Sequence, residues 1–238
     1  LDLEVTWRAD VGRSLTSAEQ MAHSRRLSES KKVRDAEMAQ KREVASNTVE
    51  MIWSKCTGSE DTHPYLQRKG VKSHGSRVTG DGRLALPLYG EDGSISSLQY
   101  ISSEGSKQFH SGGAVSGKFW TLGSMDDAGP LFIAEGFATS ATVYEVTGRP
   151  CVVAYSASNM PAVAELMRAK YGAEQEIIVV ADNDEHGVGQ KYADLANDKA
   201  GAKVVMPPIS GDANDYAQAT SGQDLLDLLM PPSSSIYD

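Results

Sequence analysis

The sequence predicts an α/β protein: an open parallel sheet flanked by helices over residues 128–230, preceded by a small mixed α+β basic subdomain over 61–127 and a helical N-terminal region over 1–60. Three observations carry this. From residue 130 onward, short apolar runs alternate with helical stretches, the pattern of strands joined by crossover helices. Those runs are apolar throughout, as strands buried on both faces are. Upstream, period-two alternation broken by glycine turns reads as antiparallel strands, and residues 15–57 hold no Gly or Pro at all.

Residues 15–57 are rich in Ala, Glu, Lys, Arg and Ser and read as one helix or two, with Ser17 and Gln20 as a capping box. Apolar residues are sparse until Val44, Val49, Met51, Ile52 and Trp53, so the early part is solvated and the later part docks. In "THPYLQRKGV", His63-Pro64 starts a short helix and Gly70 ends it. "RLALPLYGEDGSISSLQYISSEGSKQFHSGGAVSGKFWTLG" gives two or three antiparallel strands with turns at "EDG" and "SEG". "PLFIAEG", "PCVVAYS", "EIIVVADND" and "AKVVMPP" are the four strands of the parallel sheet. Between them lie a helix ending at Gly148, a second with Asn159 as N-cap and Pro161 in its first turn, and a third ending at Gly201. "DANDYAQAT" and "GQDLLDLLM" are two short closing helices, and 231–238 reads as a flexible tail.

Composition removes several classes. No apolar run approaches the roughly 20 residues a membrane span needs. The opening "LDLEVTWRAD" has acids and no basic-then-apolar signal, which argues against export and for a cytoplasmic protein. Cys56 and Cys151 are far apart and in no ligand spacing, so no zinc is expected in this chain. The five histidines form no H-x-x-x-H pair, which argues against a zinc hydrolase. The net charge of −9 is concentrated after residue 125, where 17 acidic side chains face 6 basic ones. Such a region does not attract nucleic acid by itself, unless some of its acids hold divalent cations.

The chemistry gathers where the strands end. Ligand sites of parallel sheets form at the carboxyl edge. The first strand ends in Glu135-Gly136, the third in Asp182-Asn183-Asp184, and the fourth is followed by Asp212 and Asp215. Five carboxylates at one edge repel unless a cation sits among them, and hard oxygen ligands indicate Mg²⁺ or Mn²⁺. A second pattern, "SGGAVSGKFW", has the glycine and lysine spacing of a phosphate loop but fails as one. Phe119 follows Lys118 where a hydroxyl must hold the metal, and the flanks read as strand or loop, not helix.

"LFIAEGFATSA" and "IIVVADNDEHG", in that order, resemble the two motifs of the Toprim domain over roughly residues 128–220. That fold is shared by bacterial-type primases, type IA and II topoisomerases, OLD-type nucleases and recombination mediators. The block before it resembles the basic subdomain of phage, plasmid and bacterial replicative primases, in which an R-x-x-x-P strand, a hairpin and a K-F turn lead into the metal domain. The resemblance implies a DNA primase catalytic core, a nucleotidyltransferase making short primers on single-stranded DNA from nucleoside triphosphates. It implies two ions, Mg²⁺ or Mn²⁺, with Asp182 and Asp184 as ligands, Glu135 as ligand or general base, and Asp212 and Asp215 behind them. Arg83, Lys107 and Lys118 would form a basic face opposite the acids, holding template and nucleotide. Thr139 departs from the pattern, standing where bacterial replicative primases carry an acid. A zinc-binding template reader or a replicative helicase would be a partner outside this chain, and no membrane partner is expected. The rival readings are a Mg²⁺-dependent Toprim nuclease, whose glutamate activates water, and a non-catalytic Toprim scaffold in a replication or mobile-element complex. The basic block argues against the first and the acid cluster against the second. A topoisomerase needs a tyrosine nucleophile on further domains, and Tyr89 and Tyr100 lack a suitable context.

Overall fold

The computed structural model describes residues 16–125 and 129–232; the expected tail falls mainly outside them. By packing, the chain falls into two units, one up to Lys41 and one from Arg42 onward. Helix α1 is a single element, Ser17–Lys55. Its capping box stands one residue earlier than the Ser17–Gln20 reading. The Thr16 hydroxyl accepts from Glu19 N–H at 3.3 Å, and the Glu19 carboxylate takes Thr16 N–H at 2.9 Å. Glutamate at this position supplies a charged acceptor, which makes the reciprocal bond the stronger of the two choices. Within the first unit the helix leaves Met21, Leu27, Val33 and Met38 exposed.

The second unit holds two five-stranded sheets. The first is antiparallel, with strands β1 (Thr57–Gly58), β2 (Arg77–Val78), β3 (Leu84–Tyr89), β4 (Ile95–Ile101) and β5 (Lys107–Phe109) in sequence order. It has more strands than expected, because two-residue pairings are too short to show a period. Between β1 and β2 lies α2 (Pro64–Lys69), which begins and ends as its sequence indicates. His63 Nδ1 accepts from Tyr65 N–H, and Gly70 takes the left-handed conformation (φ 64°) that glycine adopts without steric cost. Strand alternation gives the sheet two apolar faces. Ala85, Leu98 and Tyr100 pack against Val49 near the end of α1. Leu84, Leu86, Leu88 and Ile101 pack toward the second sheet.

The second sheet contains β6 (Trp120–Leu122), β7 (Leu131–Ala134), β8 (Cys151–Val153), β9 (Ile177–Val180) and β10 (Lys203–Val205), in the order β10-β9-β7-β8-β6. Four strands are parallel, as expected. The fifth, β6, comes from the block before the α/β region and pairs antiparallel with β8. Trp120 stacks on Phe137 with ring centres 5.6 Å apart, so the edge strand also seals the contact between the sheets. Helices α3 (Phe137–Thr147), α6 (Ala213–Ala219) and α7 (Gly222–Leu229) cover one face, packing on Phe132, Ala134, Ile178 and Val180. Helices α4 (Met160–Tyr171) and α5 (Val188–Ala200) cover the other, on Leu131, Ile133, Val152 and Val179. Full burial of a Phe or Leu side chain contributes about 2 kcal/mol, so alternate residues of each short strand anchor a different helix layer.

Neighbouring strands β7 and β9 therefore send their chains to opposite faces, β7 into α3 and β9 into α5. That divergence opens a crevice at their carboxyl ends. Glu135 follows β7 and Asp182 follows β9, so the fold itself delivers both to the crevice.

Candidate active site

Three of the five expected carboxylates, Glu135, Asp182 and Asp212, line one cavity of about 300 Å³, which Glu104 also lines. Asp212 is brought there by the pairing of Asn183 with Gly211, whose backbone groups exchange hydrogen bonds of 2.9 and 3.0 Å. The Asn183 side chain adds a bond to Pro207 O at 3.0 Å. Asn183 is thus a splint between the two acidic loops. Gly189 is required behind it, since a Cβ there would stand 2.2 Å from the carbonyl oxygen of Asp182.

Burial raises the Glu135 carboxyl, Lys107 opposes the shift, and Asp184 and Asp212 add to it. Asp182 is pushed up to about 7, first by burial, then by the charges of Glu135 and Asp212. Its Oδ1 is buried without a hydrogen-bond partner. Hard oxygens, mutual repulsion and one orphaned buried acceptor are what Mg²⁺ or Mn²⁺ would satisfy. Among the described residues no three His, Cys, Asp or Glu side chains are grouped as a preformed cage for one ion.

Asp184 and Asp215 differ from the other three. They line a neighbouring, more open pocket together with Asp182 and Asp212. The Asp184 carboxylate accepts from the backbone N–H groups of Gly189 (2.7 Å), His186 (2.9 Å) and Val188 (3.1 Å), which hold it below the usual carboxylate range. It caps the start of α5. Asp215 and Asp212 form a reciprocal capping box at the start of α6, and Asp215 also pairs with Lys69 Nζ at 3.1 Å.

The cavity's basic side chains are Arg68 and Lys69 from the end of α2 and Lys107 from β5, with Glu104 beside Arg68. Lys107 reaches across the glycine after the motif glutamate; a Cβ on Gly136 would stand 3.5 Å from its Nζ. Thr139, buried in the first turn of α3, lines the floor. Arg68 donates to Ser103 O at 2.8 Å and lies over the Tyr65 ring.

The structure does not gather Arg83, Lys107 and Lys118 on one face. Lys107 pairs with Ile101, which pairs with Leu84, so Arg83, next in β-register, points to the opposite side of the sheet. There Arg83 stacks over Tyr100 at 4.5 Å and binds Asp81 at 2.8 Å. Lys118 lies beside the β3–β4 turn, its Nζ 3.3 Å from where a Gly90 Cβ would be, and its charge acts on Asp92. No helix follows it, in keeping with the failed phosphate-loop pattern. Arg68 and Lys69 were missed in the sequence; the available signal was their place in the last turn of a helix tightly bounded by His63-Pro64 and Gly70. Cys56 and Cys151 are free thiols, and no described helix is long and apolar enough to cross a membrane.

Residues 130–223 match the family model for the Toprim domain. The chain is 28% identical to DNA primase TraC of Escherichia coli and 29% identical to a second DNA primase TraC of that organism, each over 90% of its own length. Those matches cover 15% and 21% of the two relatives, so the chain spans about a fifth or less of their length. Its fold is similar to the primase fragment of the bacteriophage T7 primase-helicase protein, with a TM-score of 0.53 at 19% identity, covering 68% of this chain and 72% of that one. A chain from the T7 lagging-strand DNA polymerase structure with primase domains of two gp4 subunits gives 0.54 at 19% identity, covering 69% and 89%. The chain carries a Toprim domain, as its two motifs implied, and its similarity to named primases extends well upstream of that domain.

Proposed function

We propose that this Toprim-domain chain is the catalytic core of a DNA primase, joining nucleotides into short primers on a single-stranded DNA template. One observation carries the reading: a single cavity sets Glu135, Asp182 and Asp212 against Arg68, Lys69 and Lys107. Nucleotidyl transfer needs both walls, because it joins a hydroxyl to a polyanionic triphosphate and releases pyrophosphate.

Asp182 and Asp212 would hold Mg²⁺ or Mn²⁺, with Glu135 as a third donor and Asp184 on the outer side. When bound, such ions lower the pKa of the attacking 3′-hydroxyl and offset charge on the leaving pyrophosphate. The side chains of this protein do the positioning. Lys107 and Arg68 provide fixed positive charge for the triphosphate, and Lys69 stands behind them on its tether to Asp215. Arg68 and Lys107 are exposed at the cavity, so their charges are open to an incoming triphosphate. Little covalent chemistry is asked of the protein, and alignment is its main contribution. Arg83 and Lys118 lie outside this cavity and would touch template backbone only beyond it. The substrates place the reaction in the cytoplasm, and a template-reading zinc module or a replicative helicase would act from outside this chain.

The test is incorporation of labelled nucleotide on single-stranded templates with Mg²⁺ or Mn²⁺, beside Asp182→Ala. Template-dependent oligomers absent from the variant are expected. Shortening of the template without product growth would replace the reading with a nuclease, and inactivity in both would favour a binding scaffold.

A further inference from the structure

Three successive hairpins of the antiparallel sheet turn in the same way, and the third of them lines the cavity that holds Glu135 and Asp182. In Thr79–Arg83, Gly90–Ser94 and Ser102–Ser106 the first residue's N–H donates to the last residue's carbonyl. The glycine's N–H donates back to the first residue's carbonyl, and all six bonds measure 2.8–3.1 Å. An acid precedes each of these glycines, Gly82, Gly93 and Gly105, whose φ angles are 83°, 77° and 96°. This is a three-residue hairpin loop, in which glycine is needed for its backbone alone.

The backbone demand is common to all three turns, but the surroundings are not. A Cβ on Gly82 or Gly93 would meet no described atom within 4 Å. A Cβ on Gly105 would stand 3.0 Å from Arg68 Nη2 and 3.8 Å from Tyr65 Cδ2. The same turn accepts a hydrogen bond from Arg68 Nη1 at 2.8 Å, through Ser103 O. Arg68 therefore lies in a slot made by the Ser103 carbonyl, the bare face of Gly105 and the Tyr65 ring, whose centre is 5.8 Å from the guanidinium carbon. Glu104 at the tip of the turn accepts from the Ser103 hydroxyl at 2.5 Å, which keeps that acid on its own loop. A guanidinium carries five N–H donors, and Ser103 O takes one of them.

We propose that Gly105 is a positioning residue for Arg68: the β4–β5 turn is a clip, open because position 105 has no side chain, that holds the guanidinium ready for the triphosphate of an incoming nucleotide. Arginine is a long side chain with many rotamers, and ordering it in advance removes that entropy cost from binding. The inference rests on the nucleotide-binding reading of the cavity given above.

The test is equilibrium binding of ATP with Mg²⁺ to the whole chain, without template, by isothermal titration calorimetry. Gly105→Ala should weaken ATP binding roughly three- to tenfold, the scale for ordering one long side chain on binding. Gly93→Ala imposes a comparable backbone strain in open space and should leave ATP binding unchanged. Gly105→Asn and Gly93→Asn repeat the pair with a residue that tolerates the left-handed backbone, so a fold lost to strain does not hide the difference. In an Arg68→Ala background, Gly105→Ala should have no further effect, because the glycine acts through the arginine. Equal losses at positions 105 and 93 would overturn the assignment, and so would a loss at 105 that persists without Arg68. A parent chain that binds no ATP would overturn the nucleotide reading and this inference with it. ATP binding by the parent, together with variants at 105 and 93 that match one another, would overturn the inference alone.

Discussion

Lys69 Nζ lies 3.1 Å from Asp215 Oδ1, joining the end of α2 to the start of α6 across 146 residues of sequence. Nothing in that pair is idle. Asp215 Oδ2 accepts from Asp212 N–H at 3.2 Å, and the Asn214 and Gln218 amides donate to Lys69 O at 2.7 and 2.8 Å. Burial alone would raise the Asp215 carboxyl, but Lys69 and the Asp212 N–H more than offset it. Asp215 is therefore occupied as a tether for a cavity lysine, which is a different duty from holding metal.

Asp215→Asn keeps the shape and removes the charge that restrains Lys69. We expect its nucleotide KM to rise several-fold with kcat and Mn²⁺ affinity little changed, because uniform binding is lost and the metal edge is not. Steady-state kinetics at fixed template checks this. An equal loss of Mn²⁺ affinity would return Asp215 to the ligand set.

Asp182→Asn should separate stability from function. The carboxylate is buried beside Glu135 and Asp212, with one oxygen unpartnered. Without metal, a neutral side chain of the same shape relieves that repulsion, and the melting temperature at pH 8 should rise by a few degrees, equivalent to about 1 kcal/mol or more. Nucleotide incorporation and the Mn²⁺-dependent rise in melting temperature should both disappear. A variant less stable than the parent without metal would show that the acid cluster is not strained.

Much of this arrangement is legible from residue types, and the rest fails for identifiable reasons. "LFIA" and "IIVV" are apolar on both faces and end in acids, so Glu135 and Asp182 announce themselves at a sheet edge. Asp212 is harder, because it reaches the cavity only through the Asn183–Gly211 pairing, which no local pattern encodes. The basic wall was half misread. Resemblance to the primase basic subdomain grouped Arg83 with Lys107 and Lys118, whereas pairing register puts Arg83 on the other face. Strand β6 escaped because three residues cannot reveal which sheet they join.

That register makes a clean contrast. Lys107→Ala should lower primer synthesis on the order of tenfold to a hundredfold, as loss of fixed charge facing the reacting phosphates does. Arg83→Ala should stay within about threefold, since its exposed pairing with Asp81 is worth little and lies on the far face. Lys118→Ala should resemble Arg83→Ala. Equal losses at all three positions would restore a single basic face and contradict the geometry.

The second tie between the front of the unit and the Toprim domain is sensitive to acid. His74 Nε2 lies 2.6 Å from Glu145 Oε1, and the Lys72 N–H donates to the same oxygen at 2.8 Å. Burial would raise the Glu145 carboxyl, but these bonds outweigh it and hold the group below its ordinary value near 4.5. A depressed carboxyl stabilises the fold above its unfolded pKa and loses that contribution as pH falls through the folded one. Glu145→Gln should therefore lower the melting temperature by about 2–4 °C near pH 6, corresponding to roughly 1 kcal/mol. The difference from the parent should shrink as pH falls below the ordinary carboxyl value near 4.5 and close once the folded carboxyl is itself protonated. Thermal denaturation across that range decides it: a constant offset at every pH would mean that Glu145 contributes through packing and not through its charge.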